Sequence, residues 1–321
     1  MRRLIPRWIE RNVPLKKYNT FRIKGETKYF VKISSKDELI KSLQWAKENS
    51  LPVFILGNGS NVLFSDKKYP GIIIQIKNQK SKIKKKSIIL GAGIYLPEFL
   101  QRCIKNRWTG FEWMSGIPGT IGGAVFCNAG GFGYEMSKFI KKVKTIDLKT
   151  YKEKTYLLKD CKFNYRDSIF KKNREIVWEA ELFIKKGDKA KTGNILREKS
   201  KDYWEYKFKK GLFRYPSAGS IFKNIFSREI PKKYTKEAKI KGGKISTGWF
   251  IEKCNLKGKK YGGAMISDFH ANVIVNFNNA KAKDVLHLIN ICKRKVYKKF
   301  KIKLKEEIII VNSVRNKFLT G

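Results

Sequence analysis

The stretch Ser115-Gly116-Ile117-Pro118-Gly119-Thr120-Ile121-Gly122-Gly123-Ala124, running on to Asn128-Ala129-Gly130-Gly131, decides how this chain is read. Glycine lets peptide N–H groups approach a diphosphate with no Cβ in the way, and it tolerates the positive φ that such loops need. A second block of the same character stands earlier: Leu56-Gly57-Asn58-Gly59-Ser60-Asn61-Val62-Leu63-Phe64, directly after the apolar run Val53 to Leu56. Asn and Ser add side-chain donors for phosphate or ribose. Neither block has the GxGxxG spacing of a dinucleotide fingerprint or the GxxxxGK[ST] spacing of a phosphate loop. On spacing alone, the pair is either two ordinary turns or two loops around a dinucleotide cofactor.

Around these blocks the hydrophobic pattern alternates between strand and helix signals. Strands are expected at 29–33, 53–56 and 72–76, and a helix at 35–49. Ser35 has the chemistry of an N-cap, with Glu38 three residues on as its capping-box partner. Leu39, Ile40, Leu43 and Trp45 supply the apolar side of that helix. Further on come a strand at 88–93, a helix at 97–106, strands at 143–148 and 175–184, and a charged helix or linker at 190–209. A last segment, 215–300, again mixes strands and helices and ends in an amphipathic helix at 280–300. A strand at 307–311 follows. The class is α+β.

Composition narrows the partners. The chain has 321 residues, enough for a large core and for about two domains. Hydrophobic residues make up 42% and aromatics 13%, which excludes a wholly disordered basic chain despite a net charge of +45. Of the 72 cationic side chains only 14 are Arg, the residue that base-specific readers favour. The lysines are spread through nearly every segment. We therefore expect compositional drift and no specific nucleic-acid partner. The densest run, Lys80 to Lys86, reads as a solvated loop or strand edge. No apolar run approaches the length of a membrane helix, and charges interrupt the N-terminus too early for a signal peptide. Five scattered Cys with no CxxC, and only two His, point to a reduced cytoplasmic protein with no metal.

Seven ordered motifs carry a resemblance. They are Asn12-Val13-Pro14-Leu15 with Tyr18-Asn19-Thr20-Phe21-Arg22-Ile23, the two glycine blocks, Tyr165-Arg166-Asp167-Ser168, Ala218-Gly219-Ser220-Ile221-Phe222-Lys223-Asn224, Gly262-Gly263-Ala264 with His270-Ala271-Asn272, and Leu304-Lys305-Glu306-Glu307-Ile308. Together they closely resemble the UDP-N-acetylenolpyruvoylglucosamine reductases, over nearly the whole chain. The segment between Tyr165 and Ser220 is too short for the extra Tyr-bearing loop of the type I enzymes, so the resemblance is to type II. Two departures stand out. Lys24-Gly25 occupies the place of the usual Gly-Gly, and Ile225 the place of the usual Pro.

The resemblance implies an FAD-binding fold of the vanillyl-alcohol oxidase type in two lobes, 1–75 and 76–200. A C-terminal α+β substrate domain would follow at 201–300, and a segment 301–321 would bring Glu307 to the active site. It implies noncovalent FAD, held by Gly57, Asn58, Gly59, Ser60 and Asn61 and by Ser115, Gly116, Ile117, Pro118, Gly119, Thr120, Gly122, Gly123, Ala124, Asn128, Ala129 and Gly130. NADPH would be the reductant and UDP-N-acetylglucosamine enolpyruvate the substrate, reduced to UDP-N-acetylmuramate for peptidoglycan. A monomer is expected.

The implied reaction adds hydride to a vinyl CH₂ and leaves the neighbouring carbon carbanionic, its charge spreading into the carboxylate. That chemistry needs a cation at the carboxylate, an acid for the carbon, and a hydride source. Arg166 matches the cation, because a guanidinium stays charged and grips a carboxylate bidentately. Ser220 matches the proton donor, a weak acid that needs a strongly basic enediolate. Glu307 is the third candidate, with Glu306 one residue away and only one of the two able to face the site from a strand. Tyr165, Lys223 and Asn224 are candidates for substrate binding, and His270 reads as a structural histidine. A flavin oxidase with another substrate is the alternative within the fold, and a basic nucleic-acid-binding protein the alternative outside it.

Overall fold

The runs expected at 29–33, 53–56 and 72–76 assemble into one sheet, in a computed structural model that describes residues 5–187 and 190–312. Its strand order is Glu10–Pro14, Glu26–Ile33, Tyr69–Ile76, Val53–Leu56, the first pair antiparallel and the other two parallel. The parallel core strand carries Ile72, Ile73 and Ile74, all fully buried, as expected where both faces are covered. The helix Lys36–Glu48 makes the crossover. Its capping box forms: Ser35 Oγ accepts the Glu38 N–H at 3.2 Å, and the Glu38 carboxylate accepts the Ser35 N–H at 3.2 Å.

A second, antiparallel sheet has five strands in the order Glu153–Leu157, Ile140–Asp147, Glu175–Phe183, Ser87–Gly91, Ser81–Ile83. Ser81–Ile83 is exposed throughout, so the lysine-rich run around it is a solvated sheet edge. The two sheets and the helix Leu96–Asn106 share one core, with Phe99, Phe111, Trp113 and Phe170 among its fully buried side chains.

The last sheet runs Ser217–Ser220, Val273–Asn276, Ala264–Ile266, Lys260–Tyr261. The helix Ala282–Phe300 closes its core with Val285, Leu288, Ile289, Cys292 and Val296. The segment 190–209 is a helix, Ala190–Lys209. Among the described residues, no helix is long and apolar enough to cross a membrane.

Two differences from the sequence pattern have physical causes. The strands Glu10–Pro14 and Glu153–Leu157 were not expected, because they lie at sheet edges and alternate charge with little apolar surface. The strand expected at 307–311 begins only at Ile309, where it pairs in parallel with Val62–Phe64. Glu306 and Glu307 precede it and are stitched instead to the segment after Ser220. Phe222 bridges Glu306, Lys223 N–H donates to Lys305 O at 2.9 Å, and Glu307 N–H donates to Ile221 O at 2.8 Å.

Candidate active site

The two glycine blocks face one another across a cleft of about 1350 Å³. Gly57 to Asn61, Ser115 to Thr120, Gly122 to Ala124, Ala129 and Gly130 all line it, and so do Arg166, Ser220, Lys223 and Glu307. The first block follows the strand Val53–Leu56, and its tight path requires glycine: a Cβ on Gly59, at φ +65°, would lie 2.0 Å from the Tyr18 carbonyl oxygen. The N-terminal motif is thus the floor of this loop. Thr20 N–H donates to Gly59 O at 3.1 Å, and Thr20 Oγ1 donates to Ser217 O at 2.7 Å, tying the loop to the strand that ends in Ser220.

The second block turns into the helix Ile121–Cys127, capped by Thr120, whose Oγ1 accepts the Gly123 N–H at 3.3 Å. Asn58 Nδ2 donates to Pro118 O at 2.7 Å and locks the two loops together. These contacts leave room for a ligand backbone. The peptide N–H groups of Asn58, Gly59 and Ser60 have no acceptor among the described residues. A Cβ on Gly119 would have nothing nearer than 3.5 Å, with Ser60 Oγ and Leu96 Cδ1 at that distance. A cradle with free amides and open space at glycine fits a dinucleotide phosphate.

Asn128 does not belong to that cradle. It was expected beside the cofactor, but it is fully buried and absent from the cleft wall. It ends the helix in a left-handed conformation, φ +44°, which Asn adopts more readily than most residues. Its side chain donates to Asn164 O at 2.9 Å and to Glu135 Oε2 at 3.1 Å, and accepts from Ser137 N–H at 3.0 Å. The end of this helix is therefore the platform on which the Arg166 turn rests. Ser168 Oγ adds a bond to Phe126 O at 2.7 Å.

Arg166 projects from that turn at φ +52°. Its Nε donates to Glu307 Oε1 at 2.7 Å and its Nη2 to Gly130 O at 2.6 Å. Both partners of the ion pair are 18% exposed, so water screens it only in part. Burial works against the guanidinium's charge, but the Glu307 carboxylate outweighs it and raises the Arg166 pKa. Glu306 turns the other way, to Lys293 on the helix Ala282–Phe300. Of the two neighbouring carboxylates, Glu307 is the one that meets Arg166.

Ser220 stands at the end of its strand, after Gly219 at φ +71°, and its hydroxyl has no partner among the described residues. Lys223 Nζ donates to Arg166 O at 3.3 Å. Burial and the nearby Lys171 ammonium lower its pKa. Tyr165 and Asn224 do not line the cleft. The Tyr165 hydroxyl accepts the Asn224 N–H at 3.2 Å, and Asn224 Oδ1 accepts the Thr247 N–H at 3.2 Å, so both pin the segment behind Lys223. His270 is structural, its Nδ1 accepting the Asn272 N–H at 3.2 Å.

Three cleft residues escaped the sequence reading. Lys171 donates to Arg166 O at 2.7 Å. Lys207 donates to the Ser115 carbonyl, and burial pulls its pKa down to about 8. Cys127 accepts a weak bond from Asn61 Nδ2 at 3.8 Å, and burial raises its pKa, which keeps it a thiol. In a chain with 58 lysines, nothing in the sequence singles out these two.

The comparison with known proteins meets this geometry. Residues 27–150 match the FAD binding domain family, and residues 211–311 match the C-terminal domain of UDP-N-acetylenolpyruvoylglucosamine reductase. The reductase of that name from Alkaliphilus oremlandii is 35% identical over 300 residues, covering 93% of this chain and 91% of its own. The chain belongs to the UDP-N-acetylenolpyruvoylglucosamine reductase family. A second member, from Carboxydothermus hydrogenoformans, is 33% identical over 94% of this chain and 93% of its own. The crystal structure of the Thermus caldophilus reductase superposes with a TM-score of 0.75 at 29% identity, covering 95% of this chain and 99% of that one. The fold is the FAD-binding α+β fold of the vanillyl-alcohol oxidase type joined to the family's C-terminal domain. The protein is an FAD-containing oxidoreductase, and the free amides and open glycine of the two loops fit that cofactor.

Proposed function

We propose that this protein reduces UDP-N-acetylglucosamine enolpyruvate to UDP-N-acetylmuramate, with NADPH as reductant, as a cytoplasmic monomer of peptidoglycan precursor synthesis. Membership of the reductase family supports the substrate. The observation that carries the chemistry is that Arg166, Glu307 and the unpartnered hydroxyl of Ser220 line the same cleft as both glycine loops. When bound, FAD would supply the hydride chemistry, with NADPH as the source and the vinyl carbon as the acceptor.

The rest of the work falls to the chain's own groups. Asn58, Gly59 and Ser60 offer backbone donors to the cofactor diphosphate, and the loop around Gly119 leaves the space. Arg166 uses one donor on Glu307, one on Gly130 O and one, at 3.5 Å, on Asn128 O, which leaves two of its five guanidinium N–H groups for the substrate carboxylate. As charge moves from the carbanionic carbon into that carboxylate, the guanidinium is already in place and needs no reorganisation. Ser220, whose hydroxyl lines the same cleft, donates its proton to that carbon. Glu307 orients Arg166 and limits its swing. We keep the division at 1–75, 76–200, 201–300 and 301–321 as our reading of the domains. The spread of lysine supports no specific nucleic-acid partner.

Anaerobic mixing tests this reading. NADPH should bleach the flavin, and UDP-N-acetylglucosamine enolpyruvate should then restore its absorbance. Ser220→Ala should leave bleaching intact and slow recovery by ~10²–10⁴-fold. Recovery at the wild-type rate would remove Ser220 as the donor. A wild-type protein that is bleached by NADPH but not restored by the substrate would defeat the proposed activity.

A further inference from the structure

The turn that presents Arg166 is unfavourable for the residue that occupies it. Asn164 and Asp167 close it with reciprocal backbone bonds, each at 3.0 Å. Arg166 is the second of the two residues between them, and at φ +52° it takes the left-handed conformation that glycine adopts freely and a long side chain does not. The guanidinium bonds hold the far end of the side chain. Something else has to hold the peptide at its near end.

Two ammonium groups do so. Lys171 Nζ donates to the Arg166 carbonyl at 2.7 Å, and Lys223 Nζ donates to the same oxygen at 3.3 Å. Lys171 is the better placed. It closes the 3₁₀ turn Ile169–Lys171, whose start is anchored by the Ser168–Phe126 bond, and its Nζ lies 5.9 Å from the centre of the Phe126 ring. It reaches back over five residues to the carbonyl. Lysines rarely converge on one neutral oxygen, since the two charges repel. Their doing so here indicates that the orientation of that peptide has been favoured over the separation of charge.

We propose that Lys171 is a positioning residue for Arg166: it holds the left-handed peptide from which the guanidinium reaches Glu307 and the substrate carboxylate. It acts through Arg166 and touches no reacting atom. The inference rests on the proposed reduction of the enolpyruvyl substrate.

The test is a pair of half-reactions measured on FAD-loaded protein. Lys171→Met keeps the stem and removes the ammonium. It should retain FAD and be bleached by NADPH at the wild-type rate. Substrate-driven recovery should slow by roughly 10- to 100-fold, the range set by losing one charged hydrogen bond. Lys171→Arg, which keeps a charged donor, should recover most of that loss. In an Arg166→Gln background, adding Lys171→Met should slow recovery by less than about threefold, because residues that act as a unit are not additive. Should the Met variant lose FAD, Lys171→Gln carries the same comparison. Three results would overturn the proposal: unchanged recovery in Lys171→Met, an equal slowing of bleaching, or a full additional loss in the Arg166→Gln background. Failure of the underlying reading looks different, because then the wild-type flavin itself is not restored by substrate.

Discussion

Arg166 Nε and Glu307 Oε1 lie 2.7 Å apart although 141 residues separate them in the chain. The contact joins a turn beside the antiparallel sheet to the segment that enters the parallel strand Ile309–Val311. Just past Glu307 the C-terminal stretch pairs with Val62–Phe64, directly after the first glycine loop. Asn61 reinforces the junction, its Nδ2 donating to Glu307 O at 3.2 Å. The loop with the free amides and the carboxylate that pairs with Arg166 are therefore parts of one stitched unit.

Breaking that pair should be visible in one half-reaction only. Arg166→Lys keeps the charge and loses the planar fork, and Glu307→Gln keeps the shape and loses the charge. Each should slow substrate-driven flavin recovery by roughly 10- to 150-fold, equivalent to about 1.5–3 kcal/mol for a charge-assisted bond. Stopped-flow traces of NADPH bleaching should match the wild type. A slowed bleaching step in Glu307→Gln would place Glu307 in the other half of the cycle.

Gly119→Val should lower the FAD content of the purified protein without unfolding it. The Cβ itself has 3.5 Å of clearance, so the fold accepts it, but the two branches project into the space between Gly119 and Ser60. Flavin absorbance per polypeptide, with circular dichroism as the control, checks this. Wild-type occupancy in the folded variant would move the cofactor away from that loop.

Asn128→Ala should destabilise the protein by about 2–4 kcal/mol. It removes three part-buried side-chain hydrogen bonds and puts Ala at φ +44°. The urea midpoint should fall, and the Arg166 turn, which loses its Asn164 anchor, should become more susceptible to proteolysis. A change below about 0.5 kcal/mol would mean that the platform is held by its packing alone.

Glu181 sets an acid limb. Burial would raise its pKa, but bonds from Ser87 Oγ at 2.7 Å, Lys141 at 3.2 Å and Lys84 at 3.4 Å outweigh it and bring it down to about 2. A carboxyl whose folded pKa lies below its unfolded one stabilises the fold above the unfolded pKa, ~4.3, and loses that contribution as the pH falls through the folded value. The stability gap between wild type and Glu181→Gln should be widest above about pH 5 and close toward about pH 2. Denaturant melts across that range measure it. A gap independent of pH would show that the amide replaces the carboxylate in full.

The local elements were legible because their signals are local. Ser35 and Glu38 form the capping box that their spacing announced, and Val53–Leu56 runs into its glycine loop as an apolar strand should. Glu10–Pro14 was not legible, because an edge strand with one buried residue carries no period that a sequence can display. Lys171 and Lys207 were hidden for another reason: a lysine's reach spans several residues, and which carbonyl it finds depends on the path of the backbone around it.

By itself, the sequence determined the α+β class, the two glycine loops, and the identity of Arg166, Ser220 and Glu307 as candidates. The class and the loops rest on residue type and near-neighbour order, and the three candidates on the ordered motifs that carry the family resemblance, all of which the chain holds whether folded or not. The tertiary structure alone decided that Glu307 and not Glu306 meets Arg166, that Asn128 supports the turn and leaves the cofactor loop, and that two lysines share one carbonyl. The choice between adjacent carboxylates hangs on where the strand begins. That start is set at Ile309 by its pairing with Val62, a contact between segments 247 positions apart that no local pattern encodes.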